Sequence, residues 1–189
     1  MKAVLLFSLV AVAICDDRVF SGFQRGPPTS FGSSRSRFSP PQNPQPVEMV
    51  DATLGRSLYY FSWRHDGGVA YTGTDAARLC TSLGNGWQAV GISSQEEIDF
   101  IIAVVAGERL QYIWTGGVRT QTGFIWLNGE PFIVDDWSST GGLGRRQPDN
   151  RESGNENCLA VLNFFYNDGV KWHDVACHHL KPVICEKHT

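Results

Sequence analysis

The chain of 189 residues lacks a hydrophobic run long enough to cross a bilayer. Its main apolar stretch, Ala3 to Ile14, falls well short of the ~20 residues a spanning helix needs. It also lacks a basic excess: the formal charge is -3, so nothing in the composition points to nucleic acid. The five cysteines include no Cys-x-x-Cys pair, which argues against a structural zinc site. No Ser, Thr or Cys stands in a recognisable nucleophile motif, which argues against covalent catalysis. Between Asp16 and Val50 aliphatic residues are scarce while six prolines and several Ser and Gly accumulate. Such a segment buries too little apolar surface to offset the entropy of ordering.

What is present begins with one lysine, the apolar run, and small residues Ala11, Ala13 and Cys15, the pattern of a secretory signal peptide over residues 1–15. Cleavage there leaves Cys80, Cys158, Cys177 and Cys185. In an exported, extracellular chain four cysteines read as two disulfides, with three connectivities open from counting alone. Residues 16–50 then form a Pro/Ser/Gly-rich leader, in which Phe20, Phe23, Phe31 and Phe38 recur among Arg and Pro, either as contact points for matrix or as an unselected tether. The remaining residues, 51–189, are long enough for one domain with its own core.

Within that domain the aromatic run Ser57–Trp63 reads as a strand. A helix follows from Thr74, taken as its cap, to Cys80. A second helix opens at Ser93 or Ser94, with Glu96 or Glu97 as capping-box partner and Ile98, Ile101, Ile102 and Val105 on one face, and ends near Gly107. Tyr112–Val118 and Phe124–Pro131 read as a strand and a hairpin, with Trp114 and Trp126 as core candidates. From Trp137 to Asn157 the chain is polar and Gly-rich, and a loop of that length in a compact domain is commonly functional.

The most informative residues lie near the end. Gln147-Pro148-Asp149-Asn150 precedes Asn157-Cys158, then Trp172-His173-Asp174 leads to Cys177, and Val183-Ile184-Cys185-Glu186 closes the domain. This ordered set, from about Ser57 to Glu186, resembles the C-type lectin-like domain family, and most of all its secreted invertebrate members. The resemblance implies an α+β fold with two helices, two small antiparallel sheets, a long ligand-binding loop, and disulfides Cys80–Cys185 and Cys158–Cys177. Each bridge then contributes about 3 to 5 kcal/mol in the loop-entropy model, the wider loop more.

The resemblance also supplies a chemistry. Calcium takes six to eight oxygens, so a site needs several carboxylate and amide oxygens converging on one point. By position, Gln147, Asp149, Glu156 and Asp174 match the family's calcium ligands, with Glu152 as a competitor for the Glu156 role. Pro148 matches the family's cis-proline, which directs both neighbouring side chains the same way. In such lectins two adjacent sugar hydroxyls coordinate the ion and bond to the same side chains. The Gln-Pro-Asp order resembles the galactose-preferring version. The available acids are thereby claimed for binding, and the expectation is a binding protein, not an enzyme.

Two departures weaken the expected ion site to at most one. His173 stands where the family has Asn, and imidazole is a poor calcium ligand; it can instead donate to a sugar, stack beside it or cap a strand. The accessory site lacks its acids, since only Thr120, Gln121 and Thr122 separate Arg119 from Phe124, and Asn150 replaces another acid. His178-His179 is read as a surface pair, because neighbours on a strand face opposite ways. Arg145-Arg146 can attract acidic glycans or remain solvated. Two functions follow: a secreted lectin binding glycans or glycoproteins through calcium, oligomerising for avidity, or a calcium-independent module contacting matrix or cuticle polymers or another protein.

Overall fold

Both faces of Ser57–Phe61 (β2) are covered, Tyr59 and Phe61 packing into one core cluster and Tyr60 into the other, and the segment is held on one side by Ala52–Leu54 (β1) and on the other by the carboxyl-terminal strand. The computed structural model describes residues 49–189, so the expected export signal at 1–15 and the expected leader up to residue 48 lie outside the described residues. The expected strand ends two residues early. Ser62 turns the chain, its amide donating to Val183 O and its Oγ accepting from the Val183 amide, and Ser62–His65 (α1) forms one helical turn. Trp63 is therefore helical, with its indole donating to Glu108.

The first expected helix is Gly73–Ser82 (α2), capped by Thr72, whose Oγ1 accepts the Asp75 amide. The cap is thus Thr72 and not Thr74, because only a residue before the first turn can reach the free amides of that turn. Gly73 is required for a different reason: a Cβ there would lie 2.6 Å from Cys158 Sγ. After Gln88–Ala89 (β3), the second helix is Gln95–Gly107 (α3), with Ser94 and Glu97 forming the reciprocal capping box. Ile98, Ile101 and Val105 are buried and Ile102 is partly covered, so the apolar face is narrower than the sequence pattern.

Tyr112–Thr120 (β4) and Gly123–Trp126 (β5) form the next hairpin, followed by Cys158–Asn163 (β6), Val170–Val175 (β7) and Ile184–His188 (β8). Two antiparallel four-stranded sheets result, in the orders β1-β2-β8-β3 and β5-β4-β6-β7. Trp114 and Trp126 are both core residues, at 0% and 2% exposed. Trp172 meets Trp126, Trp137 and Phe132 edge to face, and Phe132 stacks on Trp126, which fixes the root of the long loop to β7. Cys80–Cys185 ties α2 to β8, and Cys158–Cys177 ties β6 to the turn after β7. The α+β architecture, the two sheets and both bridges are as expected, with α1 as an addition. Among the described residues no helix is long and apolar enough to cross a membrane.

Candidate functional site

The long loop leaves and returns over β7. The Ser138 amide donates to Trp172 O at 3.0 Å and the Gln147 amide to Ser138 O at 2.9 Å, so the loop's outgoing and returning limbs are hydrogen-bonded to each other. Gln147–Pro148 is a cis peptide. Gln147 is buried with its amide against Gly141, where a Cβ would come within 2.3 Å of Nε2. This is a close approach that only glycine permits. Pro148 itself is exposed.

Asp174 is the hub. Its fully buried carboxylate accepts the Asp149 amide at 3.0 Å and the Asn150 amide at 2.7 Å, and is ion-paired with Arg119. Arg119 also donates from Nε to Glu156 O at 2.9 Å and lies over the Phe124 ring. The Asn150 side chain accepts the Glu156 amide at 2.9 Å, closing the loop onto itself. Carboxylate oxygens of Asp149, Glu156 and Asp174 lie within 4.8 Å of one another. Burial, reinforced by the charges of Asp174 and Asp149, pushes the Glu156 carboxyl above the usual range. Asp149 Oδ2 is buried with no hydrogen-bond partner. A buried carboxylate oxygen without a donor is costly, and a cation beside it removes the cost.

These three acids fit a hard divalent cation in charge and donor type, with Gln147 on the same cavity wall. The cavity is about 380 Å³ and is also lined by His173, Glu152 and His179. Glu152 lies apart from the acid cluster in its contacts: its carboxylate is engaged by the histidines of the turn after β7. His173 is buried, with Nε2 3.2 Å from Asp168 Oδ2 and its ring tilted against Tyr166 at 5.2 Å. Burial pushes its pKa down, with the Asp168 carboxylate opposing. Asp168 in turn accepts from Ser138 Oγ, so His173 ties β7 to the loop root. Arg145 and Arg146 are exposed.

Three contributors are not evident from sequence reasoning. Arg119 was only a flank of an absent accessory site, yet it neutralises Asp174. Phe165 and Tyr166 line the cavity from the β6–β7 hairpin, 47% and 39% exposed. The available signal was three successive aromatics, Phe164-Phe165-Tyr166, between two asparagines: a tight turn cannot place all three in the core. The reading of His178-His179 as a pair facing opposite ways is corrected. β7 ends at Val175, and both residues lie in a turn with their rings stacked at 4.5 Å.

The family model "Lectin C-type domain" matches residues 69–187. Pulmonary surfactant-associated protein D of Sus scrofa is 31% identical over 120 residues, covering 64% of this chain and 29% of that protein. The chain therefore spans less than a third of that relative. The alpha-N-acetylgalactosamine-specific lectin of Patiria pectinifera is 28% identical over 130 residues, 65% of this chain and 71% of that one. Among solved structures, the mouse scavenger receptor C-type lectin carbohydrate-recognition domain superposes with a TM-score of 0.56 at 26% identity, covering 72% of this chain and 94% of that one. The chain belongs to the C-type lectin domain family.

Proposed function

We propose that the chain is an exported lectin whose loop cavity binds glycans or glycoproteins, assisted by one weakly held calcium ion. The observation that carries this reading is the buried, unpartnered Asp149 Oδ2 beside Glu156 and Asp174 on the cavity wall. Gln147, Asp149, Glu156 and Asp174 are the residues that would hold the ion. Bound there, calcium supplies a Lewis-acidic anchor for two neighbouring sugar hydroxyls. Arg119 already neutralises one of the three acids, and His173 is committed to Asp168 in place of an amide oxygen, so the site is weak. The Gln147-Pro148-Asp149 order, together with a relative named for N-acetylgalactosamine, favours galactose-type sugars. Residues 1–15 act as the export signal and 16–50 as a tether to the lectin domain at 51–189. Self-association would raise the avidity of a weak site.

The second reading is a calcium-independent module for matrix polymers or proteins. The Arg119–Asp174 ion pair favours it, since a built-in cation holds the loop closed on its own. Retention on immobilised galactose and N-acetylgalactosamine separates the two. The lectin reading expects retention in millimolar calcium and release by chelator. Binding that a chelator leaves intact supports the second reading, and no sugar retention in either condition overturns the first.

A further inference from the structure

Glu152, His178 and His179 form a cluster that the sugar site does not use. Glu152 lies in the loop segment between Asp149 and Glu156, whereas both histidines lie in the turn after β7 that Cys177 anchors to β6. The turn is closed by the His179 amide donating to Ala176 O, which brings two successive side chains to one side. His179 Nε2 is 2.8 Å from Glu152 Oε2 and His178 Nε2 is 3.5 Å from Glu152 Oε1, so each nitrogen addresses a different oxygen of one carboxylate. One ligand atom from each residue lies within 4.8 Å of the others.

We propose that this cluster is a zinc site that clips the long loop to the disulfide-held turn. Two imidazoles and one carboxylate form a recurring ligand set for zinc, with a fourth position left to water or substrate, and they suit zinc far better than calcium. Tetrahedral zinc places its ligand atoms about 3.3 Å apart, given bonds of about 2.0 to 2.1 Å. The two contacts, at 2.8 and 3.5 Å to different oxygens of Glu152, lie close to that spacing, and the exposed side chains are free to make the remaining adjustment. The nearby Lys181 ammonium acts on Glu152 through its charge while turned over the Tyr112 and Trp114 rings, 4.5 and 4.8 Å from their centroids. The Arg151 guanidinium packs beside Gly142. Because Glu152 and His179 also line the cavity, a zinc ion there sits at the edge of the ligand site while remaining separate from the three-acid cluster.

The test is calorimetric titration of the full, tag-free chain with zinc chloride, with and without excess calcium. The expected result is one zinc per chain that calcium does not displace. Glu152→Gln, His178→Ala and His179→Ala should each weaken binding at least about 10-fold, the loss seen when even an outer partner of a zinc ligand is removed. Zinc should also slow amide exchange in residues 150–156 of the wild type and not in His179→Ala. All three substitutions are at exposed positions, and unchanged unfolding curves in chelator confirm that each variant is folded. Absence of stoichiometric zinc binding overturns the proposal. So does zinc binding that survives these substitutions and is lost instead in His188→Ala, which would place the ion in the Glu130–Glu186–His188 cluster.

Discussion

At the scale of single residues, Arg119 is the built-in cation of the loop cluster and the competitor of the proposed calcium ion. Its guanidinium compensates a carboxylate that is otherwise fully buried, and breaking such a pair leaves an uncompensated charge costing about 3–5 kcal/mol. The two backbone amides still bonded to Asp174 reduce that cost, so in chelator Arg119→Gln is expected to lose roughly 2–3 kcal/mol of stability. In calcium the variant should recover part of the loss, giving a larger calcium response than wild type in thermal unfolding. An unchanged or smaller response would mean that Arg119 and the ion do not compete. Gln147, Asp149, Glu156, Asp174 and His173 were legible in the sequence through the family resemblance, the first two as the flanks of Pro148, Glu156 and Asp174 by their spacing to Cys158 and Cys177, and His173 as the residue before Asp174. Arg119 was not, because its partner lies 55 positions away across β4 and β7, and no local pattern reports such a pair.

At the scale of elements, the β6–β7 hairpin and the long loop face each other across the cavity. Phe164 and Asn167 take positive φ in the hairpin, a conformation uncommon for a bulky residue such as Phe164, and the turn leaves Phe165 and Tyr166 outside the core. An exposed aromatic at a binding cleft offers apolar area with little loss of side-chain freedom. Tyr166→Ala should therefore weaken glycan binding about 5- to 10-fold, an order-of-magnitude figure for one partly exposed ring of about 1 kcal/mol. Its melting temperature should hardly move; equal affinity on the same sugar resin would exclude Tyr166 from the contact. The helices and core strands were legible because their apolar periods are strong. Their ends were less so: whether Thr72 or Thr74 caps α2, and whether Trp63 continues β2, depends on the distant partners Cys158 and Val183.

At the scale of the molecule, the sheet that pairs β2 with β8 carries a buried acid away from the ligand site. Glu186 is 1% exposed, and burial, reinforced by the Glu130 charge and opposed by His188, pushes its pKa up to about 7. The folded state therefore binds this proton more tightly than the unfolded chain does. Stability from this group is present below about 4.5, the ordinary carboxylate value, and is lost as pH rises through about 7. Glu186→Gln should flatten that decline and leave the domain about 2–3 kcal/mol more stable at pH 8, an order-of-magnitude value. Unfolding midpoints of both proteins from pH 4 to 8 measure it, and parallel curves would contradict the assignment. The amide donors from Gly91 and Asn128 can serve either form of the side chain, so the substitution keeps those two hydrogen bonds and loses only the ion pair with His188 at 3.6 Å.

The central claim is a single weak calcium site formed around Asp149, Glu156 and Asp174. Thermal unfolding of the full chain in calcium and in chelator tests it most directly, since a ligand that binds only the folded state stabilises it by RT ln(1 + [L]/Kd). At a tenfold excess over Kd this is about 1.4 kcal/mol, or roughly 3 °C for a domain of this size. The account predicts such a rise in wild type and its loss in Asp149→Asn, which removes a charge from the cluster without removing the amide that Asp174 accepts. Superimposable wild-type curves in calcium and chelator would contradict it, and would leave Arg119 as the only cation the loop requires.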